Sequence, residues 1–366
     1  MADQSRDWMQ RPAIIYGVGF WNRKSIRGML THLPGKPSFY RSFERALLKA
    51  RQANASLFAW TTRLSDDQRA ACEKAGVPIV NVEDGFIRSV GLGAAFVPAA
   101  SLIMDASGIY YDPSRPSDLE IMLEHDDVSA GERARGEAFR KTLVELGISK
   151  YNLGQRHDQT PRSTERQVIL IPGQVSDDAS ILKSRSDSLD LQSGENPNLL
   201  LLKWVREHNP DAFIIFKPHP DVTSGLRKGG LSDQEMLTFA DKIERQADII
   251  ALIRQCDILH TISSLSGFEA LLRGKQVVVH GLPFYAGWGI GLDLTSCPRR
   301  NRKRTLDELV FLAMIKYPQY VNPESFAACE AEETACALSR LRNHKVESLK
   351  DIIMPHLARL AFRLGF

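Results

Sequence analysis

Two pairs of adjacent carboxylates could do chemistry. Glu83 and Asp84 share a glycine-containing segment with Arg88, and Asp177 and Asp178 follow an apolar run. Carboxylates can act as a general acid or base, as a nucleophile, or as a stabiliser of an oxocarbenium-like centre. Each pair also has a structural interpretation: a turn with an internal salt bridge around Arg88, and a helix start at the two aspartates. Because capping needs only one aspartate, the second one favours a function.

Two further clusters carry groups that bind phosphate. His219 lies between two prolines, which stiffen its loop, and directly follows the Lys217-Pro pair. Ser263 and Ser264 precede a helical pattern, and a helix N-terminus attracts phosphate through its free N–H groups and its dipole. Glu269, one turn further, could reach a ribose hydroxyl. The structural alternatives are a surface histidine and a well-capped helix.

The sequence speaks against several other classes of protein. It has no GxxxxGK[ST] motif for a Walker-type ATP site and no HExxH or DxD motif for a metal centre. Its five cysteines are scattered without a CxxC pair, which indicates a reducing compartment and no structural zinc. The 47 Lys and Arg residues against 44 Asp and Glu residues are too balanced for a dedicated nucleic-acid binder.

Nothing in the sequence predicts a signal peptide or a membrane span. We therefore expect a cytoplasmic protein. The tail from Arg340 onwards interleaves basic and apolar residues, which is typical of a helix that lies on an anionic membrane surface. A C-terminal helix packed on the protein, with its charges solvated, is the alternative.

The elements that must position these residues alternate between strands and helices. At about 150 residues per domain, 366 residues predict two domains. In residues 1–150, strands over 13–17, 56–60 and 78–82 alternate with helices over 42–53 and 65–75, which predicts parallel βαβ units. The polar stretch 151–165 is interpreted as a linker.

Residues 166–322 have the clearer doubly wound pattern. Strands are predicted over 168–171, 212–216, 257–262 and 276–280, with helices over 198–208, 249–255 and 266–273. Residues 323–366 are expected to be helical, including a helix over 324–342 that could cross back to the first domain. Ligands collect at the carboxyl ends of strands in such sheets, and all four polar clusters follow strands. Together they predict group transfer from a nucleotide-activated sugar in a cleft between two α/β domains.

Longer strings of the sequence resemble a known family. They are EDGFIRSVGLG from Glu83, SLIMDASGIYYDPSRPSDLE from Ser101, PGQVSDDASI from Pro172, FKPHPDV from Phe216, TISSLSGFEALLRGK from Thr261 and GLPFYAGWG from Gly281. Over roughly residues 10–325 the chain is similar to capsule polysaccharide biosynthesis proteins of the KpsC type, which are β-Kdo glycosyltransferases.

The resemblance implies a GT-B fold of two Rossmann-like domains, CMP-Kdo as donor, retention of configuration and no metal or other cofactor. It also implies work at the cytoplasmic face of the inner membrane on a Kdo-containing or lipid-linked glycan, beside capsule assembly proteins. The long members of the family carry two modules in tandem, whereas this chain has one copy of each motif. We therefore expect one active site and one linkage.

The resemblance also implies roles for individual residues. The donor side comprises Gln174, Lys217, His219, Pro220, Ser263, Ser264 and Glu269. Within it, His219 and Lys217 would meet the CMP phosphate, with the two serines on the same phosphate and Glu269 on the ribose.

The remaining roles concern the transfer itself. Asp177 or Asp178 would be the carboxylate at the anomeric carbon, with a front-face mechanism as the alternative to a covalent one. Glu83 would activate the acceptor hydroxyl, and Arg88, beside Asp84, would pair with a substrate carboxylate. Tyr285, Gly287 and Trp288 would either line the cleft or be structural.

Two competing functions remain open from the sequence. One is a transferase or epimerase for another nucleotide-activated acidic sugar on the same fold. The other is a non-catalytic glycan-binding or export-coupling protein. The presence of both the paired aspartates and the His-Pro motif favours an enzyme.

Overall fold

The computed structural model describes residues 7–91, 96–152, 164–223, 227 and 230–343. Its strands are β1 Ala13–Tyr16, β2 Ser38–Tyr40, β3 Ser56–Trp60, β4 Ile79–Asp84, β5 Ser101–Asp105, β6 Val168–Pro172, β7 Phe213–Lys217, β8 Lys242–Ile243, β9 Ile258–Thr261, β10 Gln276–Val279, β11 Leu292–Asp293 and β12 Pro318–Tyr320. Its α-helices are α1 Arg23–Met29, α2 Phe43–Gln52, α3 Asp66–Lys74, α4 Asp118–His125, α5 Ala130–Glu145, α6 Ala179–Leu182, α7 Pro197–His208, α8 Pro220–Thr223, α9 Asp233–Phe239, α10 Ile249–Gln255, α11 Leu265–Leu272, α12 Leu306–Val310 and α13 Ala331–Asn343.

The strands form two six-stranded sheets, the first from β1 to β5 together with β12 and the second from β6 to β11. The second sheet has the order β11-β10-β9-β6-β7-β8, and every described pairing in it is parallel. The prediction of a doubly wound second half is therefore confirmed, with most predicted elements within one or two residues of those observed. The carboxyl ends of β6, β7 and β9 lie side by side, and each carries one of the predicted polar clusters.

The first sheet is mixed rather than parallel throughout. Its order is β12-β5-β4-β3-β1-β2, and β5 runs antiparallel to both β4 and β12. A parallel neighbour requires a crossover connection, and the described part of the chain between β4 and β5 contains no helix that could provide one. The expectation of parallel βαβ units holds for β1, β2, β3 and β4 only.

The C-terminal part of the described chain returns to the first sheet. Strand β12, which the sequence placed in the second domain, pairs with β5, and α13 packs against α5. The helix predicted over 324–342 begins only at Ala331, because Val321 and Ala328 form an antiparallel bridge that folds the preceding chain back on itself. The predicted membrane-surface tail lies outside the described residues. None of the helices that the structure describes is both long and apolar enough to cross a bilayer.

Several helices start where the sequence predicted. Ser42 caps α2 by accepting the Arg45 backbone N–H, and Ser65 caps α3 in a reciprocal capping box with Gln68. Such caps satisfy N–H groups that have no partner within the helix. These caps fix the starts of α2 and α3 within one residue of the predicted helix ranges.

An apolar contact joins the two halves of the molecule below the cleft. The ring of Phe86, which follows β4, stacks on the ring of Phe284 with centroids 4.5 Å apart. Phe284 in turn meets Phe268 of α11 edge-on at 5.1 Å. All three side chains are buried, so the contact belongs to a core shared by both halves.

A basic segment, residues 299–304, joins the halves along one side. Arg299 and Arg300 both bind the carboxylate of Glu120 in α4, at 2.7 and 3.0 Å. Arg304 donates from Nε to the Leu123 carbonyl at 2.7 Å and so covers the C-terminus of α4. A cation is favourable there because the free carbonyls make that end negative.

The Glu120 contacts predict a large loss of stability on truncation. Arg300 is 8% exposed, so Glu120→Ala would leave its guanidinium buried without a counter-charge. We expect a loss of about 3 kcal/mol or more in the free energy of unfolding, measured by urea denaturation. Asp127→Ala, which removes the exposed partner of Arg302, is the control and should leave the midpoint unchanged. Equal behaviour of the two variants would contradict a structural role for the buried pair.

Candidate active site

Acidic side chains from both halves meet in the cleft around Glu83, near the end of β4. Tyr111 donates from its hydroxyl to Glu83 Oε1 at 3.3 Å. Burial, together with the negative charges of Asp84 and of Asp178 across the cleft, raises the pKa of Glu83 to about 8 against the opposing charge of Lys150. The Glu83 carboxyl is therefore mainly protonated at neutral pH and is suited to proton transfer.

The neighbouring carboxylate is occupied by an internal ion pair. Arg88 Nε lies 2.7 Å from Asp84 Oδ2, and Arg88 is only 1% exposed. The Arg88 NH1 group also donates to Ser89 Oγ at 2.9 Å. The structure thus contains the turn with an internal salt bridge that the sequence left as the alternative. Arg88 is covered in this conformation and does not present its guanidinium to the cleft.

The structure separates the two adjacent aspartates. Asp177 is exposed and forms an ion pair with Arg227, its Oδ1 lying 2.7 Å from NH2. Asp178 caps α6, and its Oδ1 accepts the backbone N–H of Ser180 at 2.9 Å. The charge of Asp178 acts on Glu83, on Lys150 and on His219. The capping aspartate is therefore also the one that faces the cleft, while its neighbour faces away.

His219 reaches the same region from the end of β7. Its Nδ1 accepts the backbone N–H of Asp221 at 3.1 Å. The neutral ring therefore carries its proton on Nε2 and can donate from there. Burial lowers the pKa of His219, against the opposing charges of Asp221 and Asp178. Pro220, the first residue of α8, fixes the backbone directly after the histidine.

Lys217 is directed away from this centre. Its Nζ lies 3.5 Å from the Arg245 carbonyl oxygen. Burial lowers its pKa, and the nearby charges of Glu244 and Asp248 raise it. The charges that act most strongly on Glu83 and on His219 do not include that of Lys217. Lys217 and His219 are therefore two separate contacts rather than one cluster.

Gln174 connects the loops after β6 and β9. Its Nε2 donates to Ser263 Oγ at 3.0 Å, and its Oε1 accepts the backbone N–H of Ser263 at 3.0 Å. Asn198 of α7 holds the backbone of Gln174 on both its N–H and its carbonyl. Ser264 caps α11 by accepting the Ser266 N–H at 3.2 Å. The predicted start of α11 is therefore capped, and Gln174 holds Ser263, the residue that precedes the cap.

Glu269 of α11 contacts the segment of chain that leads from the first half to the second. Its Oε1 accepts the backbone N–H of Lys150 at 3.0 Å, and it is 7% exposed. Burial raises the pKa of Glu269 to about 7, and Arg273 opposes the shift. One carboxylate oxygen of Glu269, the residue predicted to bind the ribose, thus already accepts a hydrogen bond from the chain that connects the two halves.

Lys150 is the cleft residue that the sequence did not single out. Its charge acts on Glu83 and His219, and in return Asp84 and Asp178 raise its pKa. The residue lies at the boundary between the first domain and the predicted linker, outside any recognised motif. No pattern of types or spacing could have identified it.

The aromatic residues after β10 are buried. Trp288 is fully buried and donates from Nε1 to the Phe284 carbonyl at 2.8 Å. Tyr285 is 1% exposed and donates to the Ser264 carbonyl at 2.5 Å. Gly287 has a φ of 86°, which a side chain would strain. The burial of Tyr285 and Trp288 favours the structural alternative for these two residues, and a role in lining the cleft stays a prediction.

The described residues contain no group of three or more His, Cys, Asp or Glu side chains placed to hold a metal ion.

A family model described as capsule polysaccharide biosynthesis protein matches residues 56–157 and 147–322. The chain belongs to this family. Its matched residues include the polar clusters of both sheets, so the family pattern covers the whole candidate site.

Two solved modules are similar along nearly their full length. One, described as Thermosulfurimonas dismutans KpsC, beta Kdo 2,7 transferase, is 33% identical, with a TM-score of 0.72 over 90% of this chain and 99% of that one. The other, described as the beta Kdo 2,4 transferase of the same KpsC, is 28% identical, with a TM-score of 0.75 over 90% of this chain and 98% of that one. The expected GT-B fold, with two Rossmann-like domains facing a cleft, is confirmed.

A curated relative is longer than this chain. The capsule polysaccharide modification protein LipA of Neisseria meningitidis serogroup B is 42% identical over 327 residues, which make up 89% of this chain and 45% of LipA. The chain thus spans about half the length of this family member.

Proposed function

We propose that this protein transfers Kdo from CMP-Kdo to a glycan or glycolipid acceptor in capsule polysaccharide biosynthesis, with retention of configuration. The observation that carries the proposal is the position of Asp178, whose charge acts both on Glu83 of the first half and on His219 of the second. The proposed nucleophile Asp178, the proposed acid/base Glu83 and His219, the proposed hydrogen-bond donor to the phosphate, thus share one cleft. The chain that carries them aligns with Kdo transferase modules along nearly their full length.

The two solved modules support the donor more strongly than the linkage. Their descriptions share Kdo transfer and differ in the bond formed, 2,7 in one and 2,4 in the other. One has the higher identity and the other the higher TM-score. What carries over to this chain is therefore Kdo transfer, and the linkage must be determined on the product.

In the proposed first step, Asp178 attacks the anomeric carbon of Kdo as the bond to the CMP phosphate breaks. The Nε2–H of His219 and the N-terminus of α11 stabilise the negative charge on the departing phosphate. Asp178 Oδ1 is held by Ser180, while Oδ2 accepts no hydrogen bond from the described residues. Oδ2 is the nucleophilic oxygen in this scheme, and the product of the step is a glycosyl-enzyme and CMP.

In the second step, the acceptor hydroxyl replaces Asp178 at the anomeric carbon. Glu83, in its carboxylate form, takes the hydroxyl proton as the new glycosidic bond forms and Asp178 is released. Each displacement inverts the anomeric carbon, so two displacements retain the donor's configuration. No metal ion takes part in either step.

The proposal is tested with purified protein, CMP-Kdo and a Kdo-terminated acceptor. We expect release of CMP and a β-linked product, identified by NMR, which also gives the linkage. Other CMP-activated acidic sugars serve as competing donors. A normally folded protein that releases no CMP with any such acceptor would contradict the assignment, and preferential use of another acidic sugar would contradict Kdo as the donor.

The two aspartates provide a matched pair of variants. Asp178→Asn should reduce kcat by about 10³-fold or more, the scale expected when a covalent nucleophile is removed, while CMP still binds. Asp177→Asn, which changes the exposed partner of Arg227, should keep most of the activity. If both variants remain active, the covalent mechanism through this motif is wrong. If only Asp177→Asn is inactive, the assignment of the nucleophile is wrong.

The pKa of Glu83 predicts the pH dependence. General-base action requires the carboxylate form, and with a pKa of about 8 this form increases as the pH rises through that value. We expect kcat/KM for the acceptor, measured by formation of the transferred product, to rise towards a plateau above about pH 8. Glu83→Gln should lose the activity, and Asp177→Asn should show the wild-type profile. A rate that falls across this range would show that Glu83 does not act as the base.

A further inference from the structure

We propose that Lys150 forms a subsite for the carboxylate of the donor sugar and selects for acidic sugars. The inference rests on the proposed function and adds to it the residue that recognises the sugar's charge.

The backbone of Lys150 is held by both halves of the molecule. Its N–H donates to Glu269 Oε1 at 3.0 Å, on the second half. Its carbonyl accepts the backbone N–H groups of Arg88 and Ser89 at 3.1 and 3.3 Å, on the first half. A residue fixed in this way presents its side chain at a constant place between the domains.

The side chain of Lys150 lies among the proposed catalytic groups. The negative charges that act on it include those of Asp84 and Asp178, and the hydroxyls of Tyr110 and Tyr151 are among its neighbours. Its own charge acts on Glu83 and His219. Lys150 is therefore close to the group proposed to attack the anomeric carbon, to the one proposed to hold the phosphate, and to the proposed base.

The ammonium group of Lys150 has no hydrogen-bond or ion-pair partner among the residues that the structure describes. It lies over the ring of Tyr151, with Nζ 5.4 Å from the ring centroid. The other cation predicted for a substrate carboxylate, Arg88, is instead paired with Asp84 and buried. Lys150 is thus the cation in this cluster with capacity for a ligand.

The chemistry of Kdo fits this position. Kdo is a 2-keto acid, so its carboxylate is attached to the anomeric carbon itself. A sugar placed for attack by Asp178 would bring that carboxylate close to the same aspartate, and a cation between them would remove the repulsion. A neutral sugar would offer no such partner, which makes Lys150 a determinant of specificity rather than a general contact to the nucleotide.

The test compares two donors in three proteins. The donors are CMP-Kdo and its analogue with a carboxamide in place of the carboxylate, and the proteins are wild type, Lys150→Met and Lys150→Arg. We expect Lys150→Met to lower kcat/KM for CMP-Kdo about tenfold to a hundredfold, the worth of a hydrogen bond to a charged group, with Lys150→Arg recovering part of the loss. The carboxamide donor should be poor with wild type and little affected by the variants, and calorimetry should show unchanged affinity for CMP.

A structural role for Lys150 would produce a different pattern. It would lower the rate for both donors equally, and it would change CMP affinity or the unfolding midpoint. Lys303→Met, at an exposed lysine of the basic segment, should match wild type throughout.

The outcomes separate this inference from the proposed function. Wild type that uses both donors equally well overturns the subsite without any variant, as does Lys150→Met with unchanged kinetics on CMP-Kdo. Wild type that releases no CMP from CMP-Kdo instead contradicts the proposed function itself.

Discussion

The structure depends on satisfying the backbone of one irregular segment, residues 146–152, where the chain passes between the two halves. Buried peptide groups need hydrogen-bond partners. Ser149 and Asn152 cap each other's backbone N–H groups, but several carbonyls of the segment need partners from elsewhere. Arg342 of α13 binds the carbonyls of Leu146 and Gly147, and Arg273 binds that of Ile148. The partners come from the first half, the second half and the returning helix, so this crossing segment holds all three together.

The same segment explains why the cleft is built as it is. The Lys150 carbonyl binds the loop after β4, which carries the Asp84–Arg88 pair, and its N–H binds Glu269 of α11. The loops that hold the proposed base and the proposed phosphate site are thus fixed to one residue. A rotation of one half relative to the other would strain these hydrogen bonds.

Much of the fold could be predicted from the sequence, because strands and helices leave periodic patterns and capping residues. The doubly wound second half and the capped starts of α2 and α3 follow from those signals. The antiparallel direction of β5 and the pairing of β12 could not be predicted, because an apolar run carries no information on strand direction.

The sequence predicted the site residues that belong to recognisable motifs. It could not predict features that depend only on how distant segments pack. Asp178 and His219 follow neighbouring strands of the second sheet, and Glu83 lies near the end of β4 in the first sheet. The charge of Asp178 acts on both of the others. The burial of Arg88, the outward position of Asp177 and the presence of Lys150 are consequences of packing between distant segments. No local pattern encodes them.

The length of the family strings has a physical reason in this arrangement. Two of the strings supply both a proposed cleft residue and a contact that holds its segment in place. The segment from Glu83 also carries Phe86, which stacks on Phe284, and the segment with Asp178 also carries Gln174, which binds Ser263. A carboxylate with a shifted pKa must stay within about an ångström of its place to work, and only rigid neighbours can ensure this. The proposed reaction therefore depends on these supporting residues as well as on the groups that react.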